Sequence, residues 1–265
     1  MSLKKMCTTC SKICIFFAIC TMLCISASAA ECFHWYCKRT ADHTQPQLDS
    51  EMEWISQFNS LYADKVHGNQ DGEKVIYLTF DAGYENGNIE KILDVLHDEQ
   101  VTGAFFILGN LIERNPDLVK RMSTEGHFVC NHTYTHKNIT CMSKDQIISE
   151  LRKLEHAYKE LTGESLKQYF RPPEGTFDQN SLQVISDLGY KTVFWSFAYA
   201  DWDNSKQMSA QAAKKKIMDN VHNGEIMLLH PTSSTNAQIM SDVIHELKNM
   251  GYRFGTLDEL EFAAT

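Results

Sequence analysis

The chain has 265 residues, 43% of them hydrophobic and 22% charged, with five prolines and no low-complexity tract; this describes a folded chain with one sizeable core and excludes a disordered or fibrous protein. The formal charge is −9, and the first thirty residues hold Lys4, Lys5 and Lys12 with no acid, so the remainder carries 22 basic against 34 acidic residues. An acidic body without a basic patch argues against a nucleic-acid partner.

Residues 1–30 read as a secretory leader. Lys4 and Lys5 open it, Ile13 to Ile25 form an apolar stretch, and Ser26 to Ala30 supply the small residues that signal peptidase prefers. The apolar stretch is about thirteen residues long, short of the roughly 20 that span a bilayer. Cleavage after Ala29 or Ala30 is the expectation, and a membrane enters only if the leader stays on as an anchor. Five of the nine cysteines lie in this leader, and the Cys7–Cys10 spacing has no second pair that would make a zinc site. Cys32, Cys37, Cys130 and Cys141 remain beyond it; Cys130 reads as a small core residue, and a Cys32–Cys37 bridge stays open at this stage.

Residues 31–73 form a polar lead-in with one helix expected over about Ser50 to Lys65, where Met52, Ile55, Phe58 and Leu61 share a face. From Lys74 strand, turn and helix alternate. Val75–Phe80, Ala104–Leu108, Phe128–Cys130, Tyr169–Phe170, Thr192–Phe197 and Ile226–Leu229 read as strands. Helices are expected over Asn88–Glu99, Pro116–Glu125 and Ser143–Thr162, and near 179–188, 207–222 and 236–250; Ser143 and Gln146 have capping-box spacing. Such alternation implies a mostly parallel sheet covered on both faces. Six or seven units in about 190 residues, without a glycine-rich phosphate loop, favour an irregular (β/α) barrel over an open doubly wound sheet.

Polar residues cluster where the apolar runs end. Asp81 closes the first run and is followed by Ala82 and a glycine turn over Gly83–Gly87 that includes Tyr84. The C-terminal ends of barrel strands are where such folds present catalytic groups. His132 and His136 stand four residues apart after the third run; on a helical turn both imidazoles would face one side, close enough to share a metal, although two nearby histidines can equally be ordinary surface residues. Arg171-Pro172-Pro173-Glu174-Gly175 follows the fourth run, where a stiff backbone could fix a guanidinium beside a carboxylate or aim an N–H at an oxyanion; a plain surface loop is the competing reading. Asp201-Trp202 and Leu228-Leu229-His230 end the last two runs, and an acid bonded to that histidine would make it a usable general acid.

Taken in order, Thr79 to Gly83, His132/His136, Arg171/Pro173, Asp201/Trp202 and Leu228/His230 resemble the motif series of the polysaccharide deacetylases with a NodB-homology domain, the family-four carbohydrate esterases. The resemblance spans about residues 74–262. It implies an irregular (β/α) barrel that hydrolyses the N-acetyl group of a sugar polymer. It implies Asp81 as general base oriented by Arg171, and His230 as general acid tuned by Asp201. His132 and His136 would be ligands of a divalent metal, zinc foremost. An N–H near Glu174 would hold the oxyanion, and Trp202, Leu228 and Tyr84 would line the substrate site. The stretch Gly83–Gly87 with Arg-Pro-Pro-x-Gly is similar to the muramic-acid deacetylase branch, which implies peptidoglycan glycan strands as partner, an extracytoplasmic location and a step toward the muramic δ-lactam of spore cortex; N-acetylglucosamine deacetylation and a non-catalytic glycan-binding barrel are the alternatives. Two positions depart from the family pattern. Ala82 replaces an aspartate that is a metal ligand, and Glu174 stands where many relatives carry an aromatic residue.

Overall fold

The longest buried strand, Val75–Ala82, shows how the core is organised, because its alternate residues enter two different apolar clusters. Ile76, Leu78, Phe80 and Ala82 face the surrounding helices. Val75 and Tyr77 face the barrel interior with Phe106, Cys130, Tyr169, Val193 and Ile226, and by the same alternation Thr79 and Asp81 continue up that inner wall. The computed structural model describes residues 31–40, 42–69 and 72–261; the leader lies outside them.

In chain order the strands are β1 (Phe33–His34), β2 (Ser60–Leu61), β3 (Val75–Ala82), β4 (Ala104–Ile107), β5 (Phe128–Asn131), β6 (Lys167–Phe170), β7 (Thr176–Phe177), β8 (Lys191–Val193), β9 (Glu225–Leu229) and β10 (Arg253–Phe254). The helices are α1 (Lys65–Asn69), α2 (Ile89–Asp98), α3 (Gly109–Arg114), α4 (Pro116–Thr124), α5 (Lys144–Thr162), α6 (Gln179–Asp187), α7 (Ala210–Met218) and α8 (Ser234–Asn249). Eight strands form one parallel sheet in the order β10-β3-β4-β5-β6-β8-β2, with β9 also on β3. The sheet curls until the segment after β8 meets β9 at a single bridge, Phe197 to Met227. This is the irregular barrel that the alternation of elements predicts.

Local signals explain the helices. The α5 capping box is present, with Ser143 Oγ accepting from Gln146 N and Gln146 Oε1 accepting from Ser143 N, and Gly163 ends the helix at φ 79°. In α2, Ile89, Ile92, Leu93 and Leu96 bury one stripe against the sheet.

Four sequence expectations need correction. The lead-in helix stops at Phe58 as a 3-10 segment, because Asn59 turns left-handed (φ 50°) and Ser60–Leu61 pairs with β8. The Gly109–Arg114 helix was not expected; it is short and opens with Gly-Asn, so it shows no helical period in the sequence. The strand expected over Thr192–Phe197 ends at Val193, and the chain then crosses from β6 toward β9. Cys32 and Cys37 also diverge: Cys32 Sγ lies 3.6 Å from Thr140 Oγ1, whereas Cys37 Sγ lies 2.6 Å from the Trp195 carbonyl.

The lead-in is a strap along one side of the barrel. The β1–β7 pair is antiparallel, and Trp35 stacks on Phe194 at 4.3 Å while its Nε1–H donates to Trp195 O at 2.9 Å. Trp35 N also donates to Gly175 O at 2.8 Å, which fastens the strap to the loop after β6.

Candidate active site

Five strand ends deliver the polar residues to one rim of the barrel. Asp81 comes from the end of β3, His132 follows β5, Arg171 follows β6, Asp201 lies beyond β8, and His230 follows β9.

Arg171 is fully buried, and its guanidinium is satisfied on every side. Nε donates to Val193 O at 2.9 Å, one terminal nitrogen to Asp81 Oδ1 at 2.9 Å, and the other to Thr79 Oγ1 at 2.9 Å and Phe194 O at 3.2 Å. The Phe106 ring lies 4.2 Å below it. Sequence reasoning gave the fixing of this cation to the two prolines, but the hydrogen bonds do it. Burial alone would push the Asp81 carboxyl up; the charges of His132, Arg171 and His230 and the Arg171 hydrogen bond outweigh it, so Asp81 titrates below the usual carboxylate range. Asp81 Oδ2 has no such donor from Arg171 and faces His132 Nε2 at 3.6 Å.

His132 Nδ1 lies 2.8 Å from the Arg171 carbonyl. A carbonyl only accepts, so Nδ1 carries the proton and Nε2 presents a lone pair toward the rim. Burial drives the His132 pKa down to about 4, leaving the ring neutral near pH 7. His136 lies across from it with ring centroids 5.0 Å apart. The pair does not sit on a helical turn, as its spacing suggested. Thr133 (φ 69°) and His136 (φ 59°) both take the left-handed conformation in a loop. Glu150 of α5 holds that loop by accepting from the N–H groups of Tyr134 and Thr135 and the Thr135 hydroxyl, while Asn131 Oδ1 accepts from Thr133 N. Glu150 gave no signal in the sequence, since its role depends on α5 packing behind the loop.

Asp201 is almost wholly buried and accepts three hydrogen bonds: from His230 Nδ1 at 2.7 Å, His230 N at 2.8 Å and Asn236 Nδ2 at 2.6 Å. Burial would lower the His230 pKa; the Asp201 hydrogen bond and charge and the Asp81 charge outweigh it and raise it. The ring therefore keeps its proton to higher pH than an ordinary imidazole. Asn236, third residue of α8, is the second group that sequence reasoning missed. Its Oδ1 accepts from the Tyr199 hydroxyl, and no short-range motif marks it.

Around these groups, Leu228 is buried on β9, whereas Trp202 (59% exposed) and Tyr84 (46% exposed) stand at the surface. The Trp202 ring lies 6.1 Å from that of His230, and the Tyr84 hydroxyl accepts from Asn204 Nδ2 at 2.8 Å. Glu174 is exposed and left-handed at φ 58°, and Gly175 behind it packs so closely on Trp195 and Trp35 that a Cβ would lie 2.7 Å from the Trp195 ring.

A divalent metal finds an incomplete donor set here. Two imidazoles face each other, but Ala82 contributes only a methyl group, buried among apolar residues, and among the described residues no three His, Cys, Asp or Glu side chains converge as a metal-binding group. Catalytic zinc sites keep three protein ligands. The residues present do not make up that set.

The comparisons with known proteins bear on this arrangement. Residues 68–193 match the family model for polysaccharide deacetylase, a span that holds Asp81, His132, His136 and Arg171. The chain is 37% identical over 98% of its length, and 97% of the relative's, to the peptidoglycan-N-acetylmuramic acid deacetylase PdaA of Bacillus subtilis. The chain belongs to the polysaccharide deacetylase family. This chain is a polysaccharide deacetylase, a hydrolase that acts on amide bonds. The solved structure of the same Bacillus subtilis protein, a family 4 carbohydrate esterase, superposes with a TM-score of 0.82 at 38% identity, covering 87% of this chain and 97% of that one. A peptidoglycan-N-acetylglucosamine deacetylase of Bacillus cereus is 33% identical over 70% of this chain and 67% of its own. The family model ends at residue 193, before Asp201 and His230, and the fold brings these two to the same rim as Asp81.

Proposed function

We propose that this polysaccharide deacetylase removes the acetyl group of N-acetylmuramic acid in peptidoglycan, acting outside the cytoplasm after export through its leader. The observation that carries the reading is the pairing of two tuned groups on one rim: an ionised Asp81 held by Arg171, and a His230 whose pKa Asp201 raises. Each feels the other's charge, so both border the same space. The near full-length identity to a protein named for muramic-acid deacetylation directs the choice of sugar.

The residues account for an amide hydrolysis. Asp81 Oδ2, not engaged by Arg171, takes a proton from a water as that water adds to the acetyl carbonyl carbon. Arg171 keeps the carboxylate ionised and aimed. The oxygen that gains charge is met by the backbone N–H of Glu174 in its stiff Pro-Pro loop. His230 Nε2–H then protonates the leaving nitrogen, its other nitrogen being fixed by Asp201. Acetate and a free amine result, and that amine beside the lactyl carboxylate of muramic acid is what δ-lactam formation in spore cortex requires. Leu228 and the exposed rings of Trp202 and Tyr84 are placed to receive the acetyl group and the sugar faces. His132 and His136 are the imidazoles that a divalent cation such as zinc would take, and with no donor atom from Ala82 they would hold it weakly.

One observation favours a second reading. Glu174 is exposed at the rim with no ion pair to a described residue, and a carboxylate there repels the lactyl carboxylate of muramic acid. N-acetylglucosamine lacks that group. Digestion of treated peptidoglycan followed by mass spectrometry distinguishes the two: loss of the acetyl group from muramic acid supports the proposal, and loss from glucosamine alone overturns it in favour of the second reading.

A further inference from the structure

The described residues hold four cysteines, Cys32, Cys37, Cys130 and Cys141, all as free thiols. Two of them are chemically quiet. Cys130 is fully buried on β5, and burial raises its pKa. Cys37 points at the Trp195 carbonyl beside the Trp35–Phe194 cluster, where burial pushes its thiol up to about 12. The attacking species in disulfide exchange is the thiolate, so neither offers it near neutral pH. Cys32 and Cys141 are exposed.

The segments that carry these two exposed thiols meet although they are far apart in sequence, with Cys32 in contact with the residue before Cys141. Cys32 immediately precedes β1, and β1 is pinned to β7 by the pairs Phe33–Phe177 and His34–Thr176. The β7 strand packs on the 3-10 turn Ile139–Cys141. Cys32 Sγ reaches across to Thr140 Oγ1 at 3.6 Å, and Cys141 is the next residue, its Cα about 3.8 Å from that of Thr140. A disulfide needs Cα atoms within about 7 Å.

We propose that Cys32 and Cys141 form a disulfide when the protein is oxidised, bracing the strap against the turn that follows the His136 loop. With glutathione disulfide as oxidant, one cysteine thiolate attacks its sulfur and releases one glutathione. The second thiolate then displaces the other, so two protons and two electrons leave the cysteines and two glutathione thiols form. The brace would join two parts of the rim, because the strap already holds Gly175 beside Glu174 and the turn closes the loop of His132 and His136. It does not depend on the sugar specificity proposed above.

The test uses the full chain, equilibrated in reduced or in oxidised glutathione, alkylated, and digested with trypsin and chymotrypsin without reductant so that Cys32 and Cys37 fall in separate peptides. Mass spectrometry is expected to find a Cys32–Cys141 cross-linked peptide in the oxidised sample, absent from Cys32→Ser and from Cys141→Ser. The oxidised wild type should melt about 5 °C or more above the reduced form, since the bridge closes a long loop, and neither variant should show that rise. Recovery of both cysteines as separate glutathione adducts, or a bridge from either to any other cysteine, overturns the proposal. A cross-link without a rise in midpoint overturns the brace.

Discussion

Replacing Asp201 by asparagine tests the acid half of the site. The carboxylate accepts three hydrogen bonds and is almost wholly buried, so the substitution keeps the volume but removes the charge that raises the His230 pKa. A hydrogen bond to a charged group contributes about 1.5–3 kcal/mol, which at 1.36 kcal/mol per tenfold is a loss of roughly 10- to 150-fold in turnover. The direction of the pH effect follows from the sign of the shift. His230 is protonated below its folded pKa, and Asp201 lifts that value, so Asp201→Asn moves the basic limb of the rate profile to lower pH. One of the three donors must also face the new amide NH2, at a cost of about 1–3 kcal/mol in stability. Acetate release measured from pH 5 to 9, with a urea titration beside it, reads both effects. A variant that turns over like wild type with its basic limb in place would refute the assignment of His230 as acid.

Three further substitutions probe other parts of the account. Arg171→Met leaves Asp81 without its cation, so the acid limb of the profile should move to higher pH and unfolding in urea should show a loss of about 3–5 kcal/mol; an unmoved limb contradicts the orienting role. His136→Ala should weaken zinc binding about tenfold or more by calorimetry, from an already weak wild-type value, and tight binding indifferent to this change would show that the cation sits elsewhere. Glu225 is fully buried with Oε1 unpartnered, and burial raises its pKa well above the usual carboxylate value. The folded state therefore keeps a proton that the unfolded chain releases above about pH 4.3, and stability falls as pH rises from there. In Glu225→Gln that decline between pH 4 and 8 should flatten relative to wild type; parallel curves would mean that Glu225 ionises freely.

Much of the barrel is legible in the sequence because parallel strands buried on both faces read as short apolar runs, and three of the functional residues stand at or directly after the end of one. Asp81, Arg171 and His230 are placed this way without any long-range information. The rest depends on partners that sequence spacing does not reveal. The loop of His132 and His136 is held in a left-handed conformation by Glu150 from a helix behind it, so the four-residue spacing does not mean a helix. Asn236 reaches Asp201 only because α8 begins just past the end of β9. Ala82 is conspicuous as a missing donor in the sequence, but its burial among apolar side chains is a property of the folded chain. The strap is unreadable beforehand for the same reason: Trp35, Cys37 and Gln45 find acceptors on backbone carbonyls far along the chain, at Trp195 and Asn223.

The central claim is that Asp81 is the base of an amide hydrolysis in this site, and acetate release from purified peptidoglycan by wild type and Asp81→Asn tests it most directly. We predict steady release by the wild type and a loss of about 10²- to 10⁴-fold in Asp81→Asn, with the melting midpoint of the variant showing that it folds. Equal release by both proteins, or none by the wild type with or without added zinc, manganese or cobalt, would contradict the account.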